Sequence, residues 1–175
     1  MEWEFDILYG LQKIHNPVLD WWMAHLSDLG NIGLFWLIIA AVMTISKKYR
    51  KCGIQTFAAM LLAFIIGNLI LKNLVARDRP CWIDPSIALL VKSPLDYSFP
   101  SGHTMNGFTA AVTIFYNDRK LGIGAIILAS PIAFSRLYNF VHFPTDVVVG
   151  MIIGTGSAWI VNYFTKRYIR KKQNS

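Results

Sequence analysis

Leu34-Phe-Trp-Leu-Ile-Ile-Ala-Ala-Val-Met43 carries no charge. Ten such residues fit a buried core helix as well as a membrane helix, so the flanks decide. The apolar character runs from Asp28 to Ser46 and stops at Lys47-Lys48-Tyr49-Arg50-Lys51. That is close to the roughly 20 residues needed to cross a bilayer, closed by a basic block of the kind that marks a membrane boundary. Four further runs resemble it: Cys52 to Leu71, Ser101 to Tyr116, Leu121 to Tyr138, and Asp146 to Phe164. The expected fold class is all-α, a polytopic transmembrane helical bundle of five spans, with residues 28–165 as the transmembrane core and a basic tail at 166–175.

Composition agrees. Of 175 residues, 54% are hydrophobic and 15% charged, against about 25% charged in soluble domains. This argues against disorder and against a separate soluble domain of ordinary size. Cys52 and Cys81 fall at opposite ends of the second span and its loop, too far apart for a disulfide across a core about 30 Å thick.

The net charge of +7 reads as topology, not nucleic-acid binding. If the spans alternate, segments 47–51, 117–120 and 166–172 share one face and hold 11 of the 17 basic residues. The positive-inside rule makes that face, and the C-terminus, cytoplasmic. Residues 1–27 read as two interfacial amphipathic helices, the second opening at Asn16-Pro17 with Trp21 and Trp22 in the aromatic belt, or at most as a sixth span. Glu2, Glu4 and Asp6 argue against a signal peptide.

Ionisable residues near membrane depth mark a site by default. They gather at four helix ends: Lys72 and Arg79 after the second span, Ser101 and His103 opening the third, Arg136 near the end of the fourth, and His142 with Asp146 entering the fifth. Parity puts them all on the extracytoplasmic side. Each has an ordinary explanation alone, such as a snorkelling lysine or a helix cap. Together, three cations, two histidines and a carboxylate describe a site for a multiply charged anion beside groups able to move protons or attack. Arg77, Asp78, Asp84, Lys92 and Asp96 read as solvated loop charges, and Asn106 and Thr109 as partners in inter-helix hydrogen bonds.

The order and spacing of Lys72 with Arg79-Pro80, Pro100-Ser101-Gly102-His103, and Ser135-Arg136 with His142 and Asp146 resemble the three-part motif of the type 2 phosphatidic acid phosphatase family, shared with vanadium haloperoxidases. Every motif position is filled, across residues 72–146. The resemblance implies a single membrane-embedded phosphatase domain in which His142 attacks phosphorus and forms a phosphohistidine. Asp146 would orient His142, and His103 would protonate the leaving oxygen. Lys72, Arg79, Arg136, Ser101 and the Gly102 amide would hold the phosphoryl oxygens. No His, Cys or carboxylate cluster has metal-ligand spacing, so neither metal nor cofactor is expected.

The substrate expected from this resemblance is a lipid phosphate or diphosphate met at the bilayer, with undecaprenyl diphosphate ahead of phosphatidylglycerophosphate and phosphatidic acid. No nucleic acid and no obligate protein partner are implied. An anion transporter is the rival class. It would place its binding groups near the midplane, not at one interface.

Overall fold

A computed structural model describes residues 2–173. The chain is all-helical: α1 (Glu2–Gln12), α2 (Pro17–Leu29), a 3-10 turn (Asn31–Gly33), α3 (Leu34–Ile45), α4 (Arg50–Phe64), a π-helical segment (Ile65–Leu71), α5 (Lys72–Val75), α6 (Pro80–Ile83), α7 (Gly102–Asn117), α8 (Arg119–Tyr138) and α9 (Pro144–Gln173). Local chemistry sets several boundaries. Asn16 caps α2 by accepting from Leu19 N at 3.1 Å, with Pro17 preset in the first turn. Asp118 caps α8 by accepting from Lys120 N and Leu121 N.

The expectation of five or six spans is overturned. Among the described residues, three helices are long and apolar enough to cross a membrane: Arg50–Ile83, Arg119–Tyr138 and Pro144–Gln173. A fourth is added only if Pro17–Leu29 and Asn31–Ile45, bent by 43°, count as one. The run that looked like a first span is broken near its start, where Ile32 (φ 57°) and Gly33 (φ 72°) leave the right-handed helical region. Only the 12 residues of α3 continue from there. The run taken as a third span is α7, a 16-residue helix about 24 Å long, short of the hydrocarbon thickness.

The apolar residues of α7 face protein. It is the central helix, packed against α8 and α9 and also against α4, with Met105, Phe108, Ala110, Ala111 and Ile114 all buried. Small residues let its neighbours close in. A Cβ added at Gly150 would lie 2.7 Å from Ser101 O, and one at Gly154 2.5 Å from Met105 O. These glycines therefore bring α9 against the backbone of α7, and the contact is sealed by Ser101 N donating to Asp146 O at 3.0 Å. Large apolar side chains on the outside, such as Val42, Leu61, Ile127 and Ile152, belong to a surface that meets lipid.

Helix α1 docks on the site-bearing end of the bundle, where Leu8, Phe140, Val141 and Phe143 are fully buried. Phe5 meets the Phe143 ring edge-on at 5.2 Å between centroids. At the other end, Tyr49 donates to Asp118, so the 47–51 and 117–120 segments do share a face. Helix α9 continues unbroken through the basic segment to Gln173, and the tail begun at Lys166 is helical over its described length.

Candidate active site

The turn between α8 and α9 carries His142, which is 1% exposed, and the first turn of α9 carries Asp146, which is fully buried. The i, i+4 spacing sets His142 Nδ1 3.5 Å from Asp146 Oδ2. The carboxylate is thoroughly occupied. Oδ2 accepts from Phe143 N at 2.8 Å and from Ser98 Oγ, and Oδ1 accepts from Arg77 Nη1 at 2.8 Å. On the other edge of the imidazole, Arg79 Nη1 approaches Nε2 at 3.1 Å. A guanidinium only donates, so Nε2 is the accepting nitrogen and the ring proton sits on Nδ1, facing Asp146 and Ser98.

Burial, then the charges of Arg79, Arg136 and Lys72, push the His142 pKa well below its ordinary value. The ring is held neutral, with its lone pair on the side of the arginine.

In front of it lies a cavity of about 800 Å³ lined by Lys72, Arg79, Arg136, Gly102, His103 and His142, among others. Arg79 is fixed by its Nε on Asp96 O (2.6 Å), Nη1 on Val141 O (2.7 Å) and Nη2 on Asp96 Oδ1 (2.7 Å). Lys72 Nζ donates to the other oxygen of Asp96. Burial alone would raise the Asp96 carboxyl, but the bonds and charges of Lys72 and Arg79 prevail and hold it at about 2. Arg136 reaches Ser27 Oγ with Nη1, and its buried Nε has no hydrogen-bond partner among the described residues.

His103 Nε2 lies 3.1 Å from both Ser27 O and Asn31 Oδ1. Both are acceptors, so Nε2 carries hydrogen, and Nδ1 is the ring nitrogen with no protein partner among the described residues.

The structure therefore gathers Lys72, Arg79, Gly102, His103, Arg136 and His142 around one cavity, with Asp146 behind His142. Ser101 stands apart. It is fully buried, its Oγ accepts from Thr104 Oγ1 at 3.1 Å, and it does not line the cavity. A Cβ at Gly102 would meet only Asn68 Oδ1, at 3.8 Å, so the space over that backbone is open.

Two residues expected to be free loop charges are paired, Arg77 largely withdrawn from water and Asp96 still exposed. Arg77 binds Asp146, Thr145 and Glu4, and Asp96 bridges Lys72 and Arg79. Thr109 bonds Met105 O within its own helix, and Asn106 lines the cavity. Ser27, Asn31 and Ser98 escaped notice because nothing local in the sequence distinguishes them, whereas Glu4 and Asn68 stood out as polar residues with no sign of their place at the site. Among the described residues, no group of three or more His, Cys, Asp or Glu is arranged to hold a metal ion.

Comparison with known proteins finds similar sequences and folds over most of the chain. The chain is 36% identical over 140 residues to an undecaprenyl-diphosphatase of Sulfolobus acidocaldarius, covering 79% of this chain and 65% of that relative's length. Its fold is similar to the crystal structure of LpxE from Aquifex aeolicus, with TM-score 0.77, 27% identity, and coverage of 90% and 93% of the two chains. It is similar also to a PAP2-type phosphatidylglycerolphosphate phosphatase of Bacillus subtilis, with TM-score 0.76, 26% identity, and coverage of 95% and 86%. The profile of the PAP2 superfamily matches residues 53–170, which include every cavity-lining residue of α4 to α9 named above. The chain belongs to the PAP2 superfamily.

Proposed function

We propose that this protein is an integral-membrane phosphatase that hydrolyses a lipid phosphate or diphosphate through a phosphohistidine on His142. The observation that carries this reading is the double constraint on His142: a donor at Nε2 and a saturated carboxylate behind Nδ1. A phosphoryl group placed among Lys72, Arg79 and Arg136 meets a neutral nitrogen whose lone pair already faces an arginine.

In the first step Nε2 forms a bond to phosphorus and the bond from phosphorus to the leaving oxygen breaks. Asp146 and Ser98 steady the imidazolium that results, and the cations offset charge developing on the equatorial oxygens. His103, whose Nε2–H stays on Ser27 O and Asn31 Oδ1, takes a proton on its free Nδ1 from the incoming hydrogen phosphate group and delivers it to the leaving oxygen. In the second step His103 takes a proton from water, the water oxygen binds phosphorus, the nitrogen–phosphorus bond breaks and phosphate leaves. Substrate phosphate enters by replacing the Asp96 carboxylate on Lys72 and Arg79.

Undecaprenyl diphosphate is the favoured substrate. The undecaprenyl-diphosphatase relative supports it, and a diphosphate brings a good leaving group and enough charge to engage all three cations. The likeness to a phosphatidylglycerolphosphate phosphatase supports that headgroup as the second reading. By the positive-inside argument the site opens on the extracytoplasmic side. Phosphate release by the purified protein, measured side by side on undecaprenyl diphosphate, phosphatidylglycerophosphate and phosphatidic acid, tests the reading. Highest kcat/KM on the diphosphate is expected, a preference for phosphatidylglycerophosphate moves the function to phospholipid synthesis, and no release from any of them refutes it.

A further inference from the structure

A second cavity, of about 470 Å³, opens at the other end of the bundle between α4 and α9. Lys47, Arg50 and Lys51 line its rim, and Ile54, Ala58 and Val161 form an apolar wall. Roughly 25 Å of helix separates its floor at Gln55 from Lys72, so it is remote from the candidate active site.

Two observations point to an anionic occupant. The first is charge: no carboxylate among the described residues pairs with Lys47, Arg50 or Lys51. The second is Gln55, which is 4% exposed and part of the cavity wall. Its Oε1 accepts from Asn117 Nδ2 at 2.8 Å, while its Nε2 is buried with no hydrogen-bond partner among the described residues. Turning the amide over does not relieve this. Asn117 Nδ2 also donates to Thr113 O at 2.9 Å and so presents a donor to Gln55, which must answer with its oxygen. An orphaned buried donor is costly, and a small turn of the Gln55 side chain toward the cavity would let it meet an acceptor oxygen there.

We propose that this cavity binds the headgroup of an anionic glycerophospholipid from the leaflet opposite the active site. The phosphate oxygens sit among Lys47, Arg50, Lys51 and the Gln55 amide, and an acyl chain lies along Ile54, Ala58 and Val161. The apolar wall selects a lipid over a soluble anion, because a free phosphate would leave that wall uncovered. Basic pockets between membrane helices recognise phosphate headgroups in this way. The proposal does not depend on the phosphatase reading.

Native mass spectrometry of the detergent-purified full chain tests it, with phosphatidylglycerol as probe, phosphatidylcholine as the zwitterionic control and inorganic phosphate as the soluble one. The wild type and Lys72→Ala should retain phosphatidylglycerol equally. The Arg50→Gln/Lys51→Gln double variant, changed only at exposed positions, should bind it roughly 10-fold more weakly. Gln55→Glu keeps the acceptor for Asn117 while replacing the orphaned donor, and it should weaken binding as well. Undiminished binding by the double variant, equal retention of phosphatidylcholine, or displacement of the lipid by equimolar inorganic phosphate would overturn the proposal.

Discussion

Arg77 Nη1 lies 2.8 Å from Asp146 Oδ1 while its Nη2 lies 2.6 Å from Glu4 Oε2. One guanidinium thus joins the carboxylate behind the proposed nucleophile to the first helix of the chain, and Glu4 also accepts from Thr145 Oγ1 at 2.6 Å. Burial alone would raise the Glu4 carboxyl, but the bonds from Thr145 and Arg77 bring it below its ordinary value. Helix α1 is therefore part of the frame that fixes α9 at Asp146.

Arg77→Met should destabilise the protein by about 3 kcal/mol, because it strands two buried carboxylates. It should also lower kcat on the order of 10-fold to 100-fold by loosening Asp146. Adding Glu4→Gln to it should recover part of the thermal stability but not the kcat. Thermal unfolding in detergent, read beside steady-state kinetics, checks both halves. A kcat that returned along with the stability would mean that Arg77 only holds the fold.

The two histidines should fail differently. His142→Ala should abolish turnover of every substrate together with any acid-labile phosphoenzyme. His103→Ala should cost about 10²-fold to 10⁴-fold on an alkyl phosphate and far less on an activated aryl phosphate, whose leaving oxygen needs no proton. Rates for both variants on both ester types decide, and equal losses throughout would refute the division of labour.

Asp96 occupies Lys72 and Arg79, the cations proposed to take the substrate phosphate, so Asp96→Asn should lower KM several-fold with a smaller change in kcat. Its carboxyl is held at about 2, below the ordinary aspartate value. The ion pairs are therefore fully formed above about pH 4 and are lost only as pH falls through 2. KM profiles of the wild type should show no Asp96 step between about pH 4 and pH 8. Such a step, absent from Asp96→Asn, would contradict the bridge.

Sidedness has a direct test, although not with the native thiols, since Cys52 and Cys81 are both buried. Leu95, at the cavity mouth, is 92% exposed, and Lys48 is exposed at the opposite end. In a background free of the native cysteines, Leu95→Cys should react with an impermeant thiol reagent on intact cells, and Lys48→Cys only after permeabilisation. The reverse pattern would put the site in the cytoplasm.

The motif residues were legible because they stand at helix ends, where a charge interrupts an apolar run, and helix α4, α8 and α9 were legible as those runs. The role of α7 was not. Apolarity reports exclusion from water, and a helix surrounded by protein meets that condition as well as one surrounded by lipid. The supports of Asp146 were hidden for a different reason. Ser98 lies 48 positions from it and Arg77 lies 69, and no local pattern shows that a loop serine or arginine will be folded back onto a distant carboxylate. Ser101 sat in the right motif, but its hydroxyl turned into the helix junction.

Helix α9 runs 30 residues without a break, about 45 Å, with Asp146 in its first turn and Arg170, Lys171 and Lys172 in its last. Its apolar stretch from Val147 to Phe164 is about 27 Å long, so it stands near upright in a hydrocarbon layer of about 30 Å and leans more in a thinner one. The charged end is anchored in one headgroup region, so the depth of Asp146 and His142 in the opposite one follows that lean. Membrane thickness thereby acts on how far the groups proposed to bind phosphate stand from the headgroups they would meet.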